Sequence, residues 1–437
     1  MTNTTDHGTT SEAEVARADA SYKRGARILA LGIASTGVLT FAYFSAAGHA
    51  VGKQAYDHVS LLWAVLFTVM SVLYRPVEQL LSRSIADRIA RGHGGGHPLR
   101  NPALLQAGFA SLFVAGAVLF RDAIVNDLFD GDDALYWILL GAAVAYAASY
   151  FARGYLAGHK WFALYGGLVF FEALARLCFP LAVLVGIAHG ETAVALGIVA
   201  APVASLCVVP WAIMRHRRSH QGEDDLAAPA VSSRSDAQFA GSVSLIQLAE
   251  QTLLNAAVLL EPNAAGVIFS ALLIARAPLQ LFQAIQTSLL PHLAGLEVTE
   301  GREAFARAIR QTVLAISGFA ALVTVGLLAV GPWAVETIFN QGEGQYDRGL
   351  AWLALGMGLH LVAGTFTQAA LARGRAHQAA AAWLLSAGLF VAFMLSSVVA
   401  DPLQRTELGY AGAAGVLCTL LYGLYRAGAP DRPPATG

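Results

Sequence analysis

Charge is what this chain has least of. Only 13% of its 437 residues are Asp, Glu, Lys or Arg, while 56% are hydrophobic; a soluble domain carries about 25% charged residues. A water-soluble chain has no way to hide so much apolar surface, so the composition points to a polytopic membrane protein. Lysine is nearly missing, with Lys23, Lys53 and Lys160 set against 25 arginines, a bias that suggests a GC-rich bacterial genome when joined to the excess of Ala and Gly. The three cysteines, Cys178, Cys207 and Cys418, are scattered through apolar runs, which excludes a disulfide framework or metal-binding spacing. Net charge is -1 and no basic patch is long, so nothing suggests a nucleic-acid partner. No P-loop, nucleophile elbow or zinc motif occurs, so neither an enzyme nor a cofactor is expected. The polar N-terminus has no short charged start followed by a cleavage site, so the first apolar run reads as a retained span.

What is present is a series of apolar runs, each near the roughly 20 residues needed to cross a bilayer. They fall near 28–49, 58–81, 103–122, 134–156, 162–187, 192–214, 238–260, 264–290, 309–331, 349–371, 378–400 and 407–426. The runs are continuous and do not alternate, which argues for helices over a β-barrel. With the N-terminus placed inside, 21 of the 28 basic residues fall in inside segments, four fall outside, and three lie within spans: Arg75, Arg176 and Arg276. This bias predicts that both termini are cytoplasmic. The fold expected is all-α and integral to the membrane, with twelve transmembrane helices in two six-helix pseudo-repeat lobes around a central cavity. The boundaries expected are a cytoplasmic disordered tail (1–24), an N-lobe (25–215), a cytoplasmic linker (216–237), a C-lobe (238–426) and a C-terminal tail (427–437). The halves echo one another. AIVNDLFDG ends the third span and AVETIFNQG the ninth, with a one-residue gap. YLAGHK follows the fourth and ALARGR the tenth. Arg75-Pro76 and Arg276-Ala277-Pro278 mark the second and eighth. Such a duplication places a transport site between its halves.

The polar residues inside spans nominate that site. A charge at mid-bilayer costs about 2.5 kcal/mol or more, so a chain that keeps one faces it toward protein, water or a ligand. Arg276, Gln280 and Gln283 share a helix face, as do Ser244, Gln247, Gln251 and Asn255 on the seventh span, with Glu250 beside them. Arg75, Gln79 and Ser82 make a third stripe. These stripes predict a polar cavity lined by spans 2, 7 and 8, with Arg276, Arg75, Gln280, Gln283, Gln247 and Gln251 as substrate contacts. Helix-packing glue is the competing reading for the glutamines. Headgroup snorkelling or pairing with Glu78 competes for Arg75. Glu250 and His360 are candidates for ion coupling, and packing is the alternative for His360. Glu172 and Arg176, at i and i+4, are expected to form a structural ion pair. Asp130, Asp132 and Asp133 suggest either the metal-binding acids of a membrane glycosyltransferase or a solvated loop. A membrane scaffold without transport remains a further alternative.

VLYRPVEQLLSRSIADR, AIVNDLFDG, YLAGHK, SLLPHLAGL, AVETIFNQG and ALARGRAHQ occur in that order. Through them the chain, over about residues 25–426, resembles the multidrug/oligosaccharidyl-lipid/polysaccharide exporter superfamily, and within it bacterial polysaccharide (O-antigen-type) flippases. The resemblance implies alternating access that carries an undecaprenyl-pyrophosphate-linked glycan across the bacterial plasma membrane, with Arg75 and Arg276 meeting the pyrophosphate. Membrane lipids, a coupling proton or sodium ion, a glycan polymerase and glycosyltransferases are the implied partners. Arginine suits the role independently, because its planar fork of donors matches phosphate oxygens. The first span lacks the basic residue of lipid II flippases and the acid of many drug antiporters. Other antiporter branches use an acid in the seventh span, where Glu250 stands, so a cation-coupled multidrug antiporter is the alternative.

Overall fold

The computed structural model describes residues 32, 35–90, 99–210, 234–276, 301–341 and 344–427. Among them no strand occurs, and twelve helices follow the twelve apolar runs. We label these α1 (35–50), α2 (Lys53–Val69, a π turn at Met70–Tyr74, then Arg75–Ala90), α3 (Arg100–Leu119), α4 (Asp133–Gly158), α5 (Phe162–Leu184), α6 (Gly190–Ser205), α7 (Arg234–Leu260), α8 (Ala265–Ala275), α9 (Gly301–Phe339), α10 (Leu350–Ala372), α11 (Ala376–Met394) and α12 (Pro402–Arg426). Nine of the helices among the described residues are long and apolar enough to cross a membrane; α6 and the described part of α8 are shorter. The tail 1–24, most of the linker 216–237, all but the first residue of the tail 427–437, and Gln280 and Gln283 lie outside the described residues.

A helix satisfies its backbone internally, which is why continuous apolar sequence in lipid adopts this form and no other open one. The helices pack in two groups. α2, α3 and α4 contact one another and α4, α5 and α6 do likewise; in the second half α10 packs on α9 and α12, and α11 on α7 and α12. In its most apolar stretch α10 is 83% buried and α9 only 6%. The first therefore serves as the core of its group, while the second turns its apolar surface to lipid.

The two halves end their corresponding spans alike. After α3 the chain buries Phe129 and turns through Asp130 at φ 48°; at the end of α9 it buries Phe339 and turns through Asn340 at φ 52°. The first half has one more residue before the phenylalanine, and it is taken up in a π turn at Ile124–Leu128. That extra residue is the gap seen between AIVNDLFDG and AVETIFNQG, since a π turn is a helix with one residue inserted. α4 and α10 close with the same cap. Trp161 N–H donates to Leu156 O and Arg375 N–H to Ala370 O, around Lys160 and Gly374 in the left-handed region. The equivalence runs one residue off the match of YLAGHK with ALARGR.

The halves meet at the end that carries the turns after α1 and α7, assigned to the outside by the count of basic residues. Ser45 Oγ donates to Ile338 O (2.6 Å), Gln341 Nε2 donates to Gly48 O (3.1 Å), and Asp57 Oδ1 accepts from Gly266 N–H (2.6 Å). Tyr56 and Ser270 hydroxyls are 3.0 Å apart, and the rings of Phe44 and Phe269 lie 4.4 Å apart. Gly48 is the tightest point, because a Cβ there would overlap the carbonyl of Phe339. Gly48→Ala is expected to cost about 1–3 kcal/mol through overpacking, read as a lower thermal unfolding midpoint in detergent. Gly412→Ala, whose Cβ would meet open space, is expected to leave the midpoint unchanged or raise it. Equal midpoints for the two variants would remove the close approach as a structural constraint.

Candidate functional site

On α7 the polar stripe is bonded in two separate pieces. Asn255 Nδ2 donates to Gln251 Oε1 (3.1 Å), and Asn255 Oδ1 accepts from Arg276 Nη1 (3.5 Å). Gln247 Nε2 donates to Glu250 Oε2 (3.1 Å). Their spacing of three and four residues puts these groups along one side of the helix. Gln247 and Gln251 thus bond within their own helix, beside Glu250 and Asn255, and these bonds do not join one helix to another. Gln280 and Gln283 lie outside the described residues.

Arg276 caps the described part of α8 and is buried. One long bond to Asn255 is all the guanidinium has: Nε and Nη2 are buried without an acceptor among the described residues, and no carboxylate is paired with it. The aromatic ring of Tyr410, from α12, lies within its electrostatic range. A cation so placed retains most of its capacity to bind an anion, since buried unmet donors are costly.

Tyr410 also links this arginine to a second group. His360, on the buried helix α10, has Nδ1 3.1 Å from Tyr410 Oη and Nε2 3.5 Å from Glu250 Oε1. The two ion-coupling candidates are thus in direct contact although 110 residues apart in sequence. Glu250 keeps 22% of its side chain accessible while His360 keeps 2%, so the carboxylate is the more accessible of the two. The Trp383 ring packs edge-on to His360 at 5.2 Å, and Trp383 Nε1 donates to Thr367 Oγ1 (2.9 Å), which fixes one wall.

Arg75 follows directly after the π turn of α2 and is half-buried. It forms no hydrogen bond or ion pair among the described residues, yet lies within electrostatic range of Glu250 on α7 and Glu78 on its own helix. The competing reading, a pair with Glu78, is not made among the described residues; Glu78 Oε1 accepts from Tyr165 Oη (2.7 Å). Arg75 thus faces the second half through Glu250, but its burial does not match that of Arg276.

The expected Glu172–Arg176 pair is corrected by the packing. Glu172 Oε2 accepts from Arg153 Nη2 (2.6 Å) and Ser149 Oγ (3.0 Å), both on α4. Arg176 instead lies over the ring of Trp63, 4.2 Å from its centroid. Arg153, counted from sequence among the cytoplasmic charges, is a half-buried partner. Its only sequence signal is the i, i+4 spacing from Ser149. Tyr410 was missed as well, with Thr406 one turn earlier the only hint. The three aspartates do not converge. Asp132 caps α4, Asp133 pairs with Arg121 (2.7 Å), and Asp130 accepts from Gln54 Nε2 (2.8 Å). That dispersal removes the support for a glycosyltransferase site.

No protein-family model matches the sequence, and no curated protein matches it. Solved structures do match the fold. A Vibrio cholerae MATE transporter superposes with a TM-score of 0.63 at 15% identity, covering 94% of this chain and 98% of its own. An outward-facing multidrug resistance MATE family transporter of the MOP superfamily gives 0.67 at 16% identity, with 93% and 95% covered. A MOP superfamily transporter from Pyrococcus furiosus, for which reverse polarity of the binding pocket suggests a different function, gives 0.65 at 15%, with 93% and 95% covered. The chain therefore has the two-lobed, twelve-helix fold of MATE transporters.

The Arg153–Glu172 pair can be tested separately from transport. Arg153→Met leaves Glu172 as an uncompensated buried charge and is expected to destabilise by about 3–5 kcal/mol. Adding Glu172→Met is expected to recover most of that loss. Thermal unfolding of the single and double variants measures it, and a double variant no more stable than Arg153→Met would rule out the pairing.

Proposed function

We propose that the chain is a cation-coupled exporter working by alternating access, with Glu250 and His360 as the coupling site. The observation that carries this reading is their contact across α7 and α10, extended to α12 through Tyr410. Protonation of Glu250 removes the charge that holds its oxygen against His360, so one proton alters the bond between two helices. Access from solvent on the carboxylate side supports uptake there. Likeness in fold to multidrug resistance MATE transporters supports an amphipathic, drug-like cargo. The distribution of basic residues supports a bacterial plasma membrane location with both termini cytoplasmic.

A second reading is favoured by one observation. The guanidinium of Arg276 has two unmet donors and no carboxylate among the described residues, which favours a cargo with an anionic group. A lipid-linked oligosaccharide on undecaprenyl pyrophosphate is such a cargo, with Arg276 and Arg75 as its contacts, and glycosyltransferases and a polymerase as working partners. The Pyrococcus furiosus transporter, with its pocket of reverse polarity, gives this reading a precedent within the fold.

In proteoliposomes with an imposed proton gradient, Glu250→Gln is expected to reduce dye export about tenfold or more, with His360→Asn acting in the same direction. Export by Glu250→Gln at the wild-type rate rejects the coupling site. In cells that depend on this protein for surface polysaccharide, Arg276→Ala is expected to abolish polymer at an unchanged protein level. Normal polymer there rejects the second reading and leaves the first standing.

A further inference from the structure

Arg276 is not alone in holding buried donors without an acceptor among the described residues. Arg176, in the middle of α5, is 2% exposed and is among the largest fully buried side chains. Its Nε and Nη1 are buried without an acceptor among the described residues. The carboxylate one turn away, Glu172, is turned to Arg153 and Ser149. Aromatic faces take up part of the charge: Trp63 at 4.2 Å and Tyr43 at 6.0 Å from their centroids. Neither ring is hydrogen-bonded to the guanidinium, and the Tyr43 hydroxyl is directed to Val194 O, to which it donates (3.1 Å). A second unmet donor belongs to the same neighbourhood. The hydroxyl of Tyr146, on α4, is buried without a partner and lies within electrostatic range of Arg176.

We infer that Arg176 and Tyr146 form an anion-binding site inside the first lobe, which takes a small monovalent anion of the halide class. Three buried donors, two of them on a cation, have no acceptor among the described residues, and the nearby carboxylate of Glu172 is already engaged by Arg153 and Ser149. An anion supplies both the missing acceptor and the missing charge. The burial of Arg176, Tyr146 and Tyr43, with Trp63 at 8% exposure, restricts the occupant to a small ion. A phosphate dianion is disfavoured because its desolvation is far more costly and three donors leave most of its oxygens unmet. The site is distinct from Arg276, which bonds to Asn255 on α7 in the other lobe, and does not depend on which cargo is carried.

The test uses the full-length protein in detergent, exchanged into sodium gluconate and titrated with sodium chloride or bromide at constant ionic strength. Because a ligand that binds only the folded state raises stability with its concentration, the unfolding midpoint is expected to rise saturably with either halide. Arg176→Met is expected to abolish that rise. Tyr146→Phe, which keeps the ring and removes only the donor, is expected to shift the half-saturating concentration up by about tenfold. It carries the test by itself if Arg176→Met does not fold. A midpoint indifferent to halide overturns the site, as does a halide response that survives Arg176→Met, vanishes in Arg276→Ala, or keeps its half-saturation in Tyr146→Phe.

Discussion

A charge withdrawn from water has to be answered by another charge, a hydrogen bond or a ligand, and inside a bilayer water is not available to make up a shortfall. This constraint sorts the ionic residues of the protein into two groups. Arg153 and Glu172 answer each other at 2.6 Å, and Arg405 and Glu261 do so at 2.7 Å; these are parts of the frame. Arg276 and Arg176 are answered incompletely, by one long bond and by aromatic faces. A structure that completes some charge pairs and leaves others open has set the open ones apart, and those are where ligands have a reason to bind.

The Glu250–His360–Tyr410 connection stands between the two groups. Its contacts are made, but one of them is 3.5 Å long and ends on a carboxylate that solvent can reach. A pair of this kind changes with the occupancy of one proton, whereas Arg153–Glu172 is a short bond to a buried carboxylate. The location matters as much as the chemistry. α10 is the most buried of the helices long enough to cross the membrane, so a change at His360 is transmitted to packed neighbours and not dissipated into lipid. Contacts between the halves, from Ser45 to Ile338 and from Asp57 to Gly266, join them elsewhere in the structure.

The duplication explains why one plan yields two different interiors. Both halves bury a phenylalanine and turn left-handed after their third helix, and both close their fourth with the same cap. Those are backbone solutions, fixed by chain geometry. The side chains between them have diverged: the first half places Arg176 among Trp63, Tyr43 and Tyr146, and the second places Arg276 beside Asn255 and near Tyr410.

Helix number, class and the order of the repeat were legible in the sequence because each depends on neighbours along the chain. A run of twenty apolar residues has only one common way to satisfy its backbone in lipid, and the one-residue gap between AIVNDLFDG and AVETIFNQG already marked the π turn. Glu250, His360 and Arg276 were legible as candidates because polar residues in apolar runs are conspicuous. Their partners were not. The i, i+4 rule offered Glu172 to Arg176, but the rule knows only one helix, and α4 brought Arg153 to the carboxylate instead. The same limit hid Tyr410, an ordinary tyrosine until α12 sets its hydroxyl against His360. Sequence by itself determined which segments enter the membrane and which charges they carry in with them. The tertiary structure decided which of those charges are neutralised and which remain open, because in a helical bundle the partner of a buried charge comes from another helix.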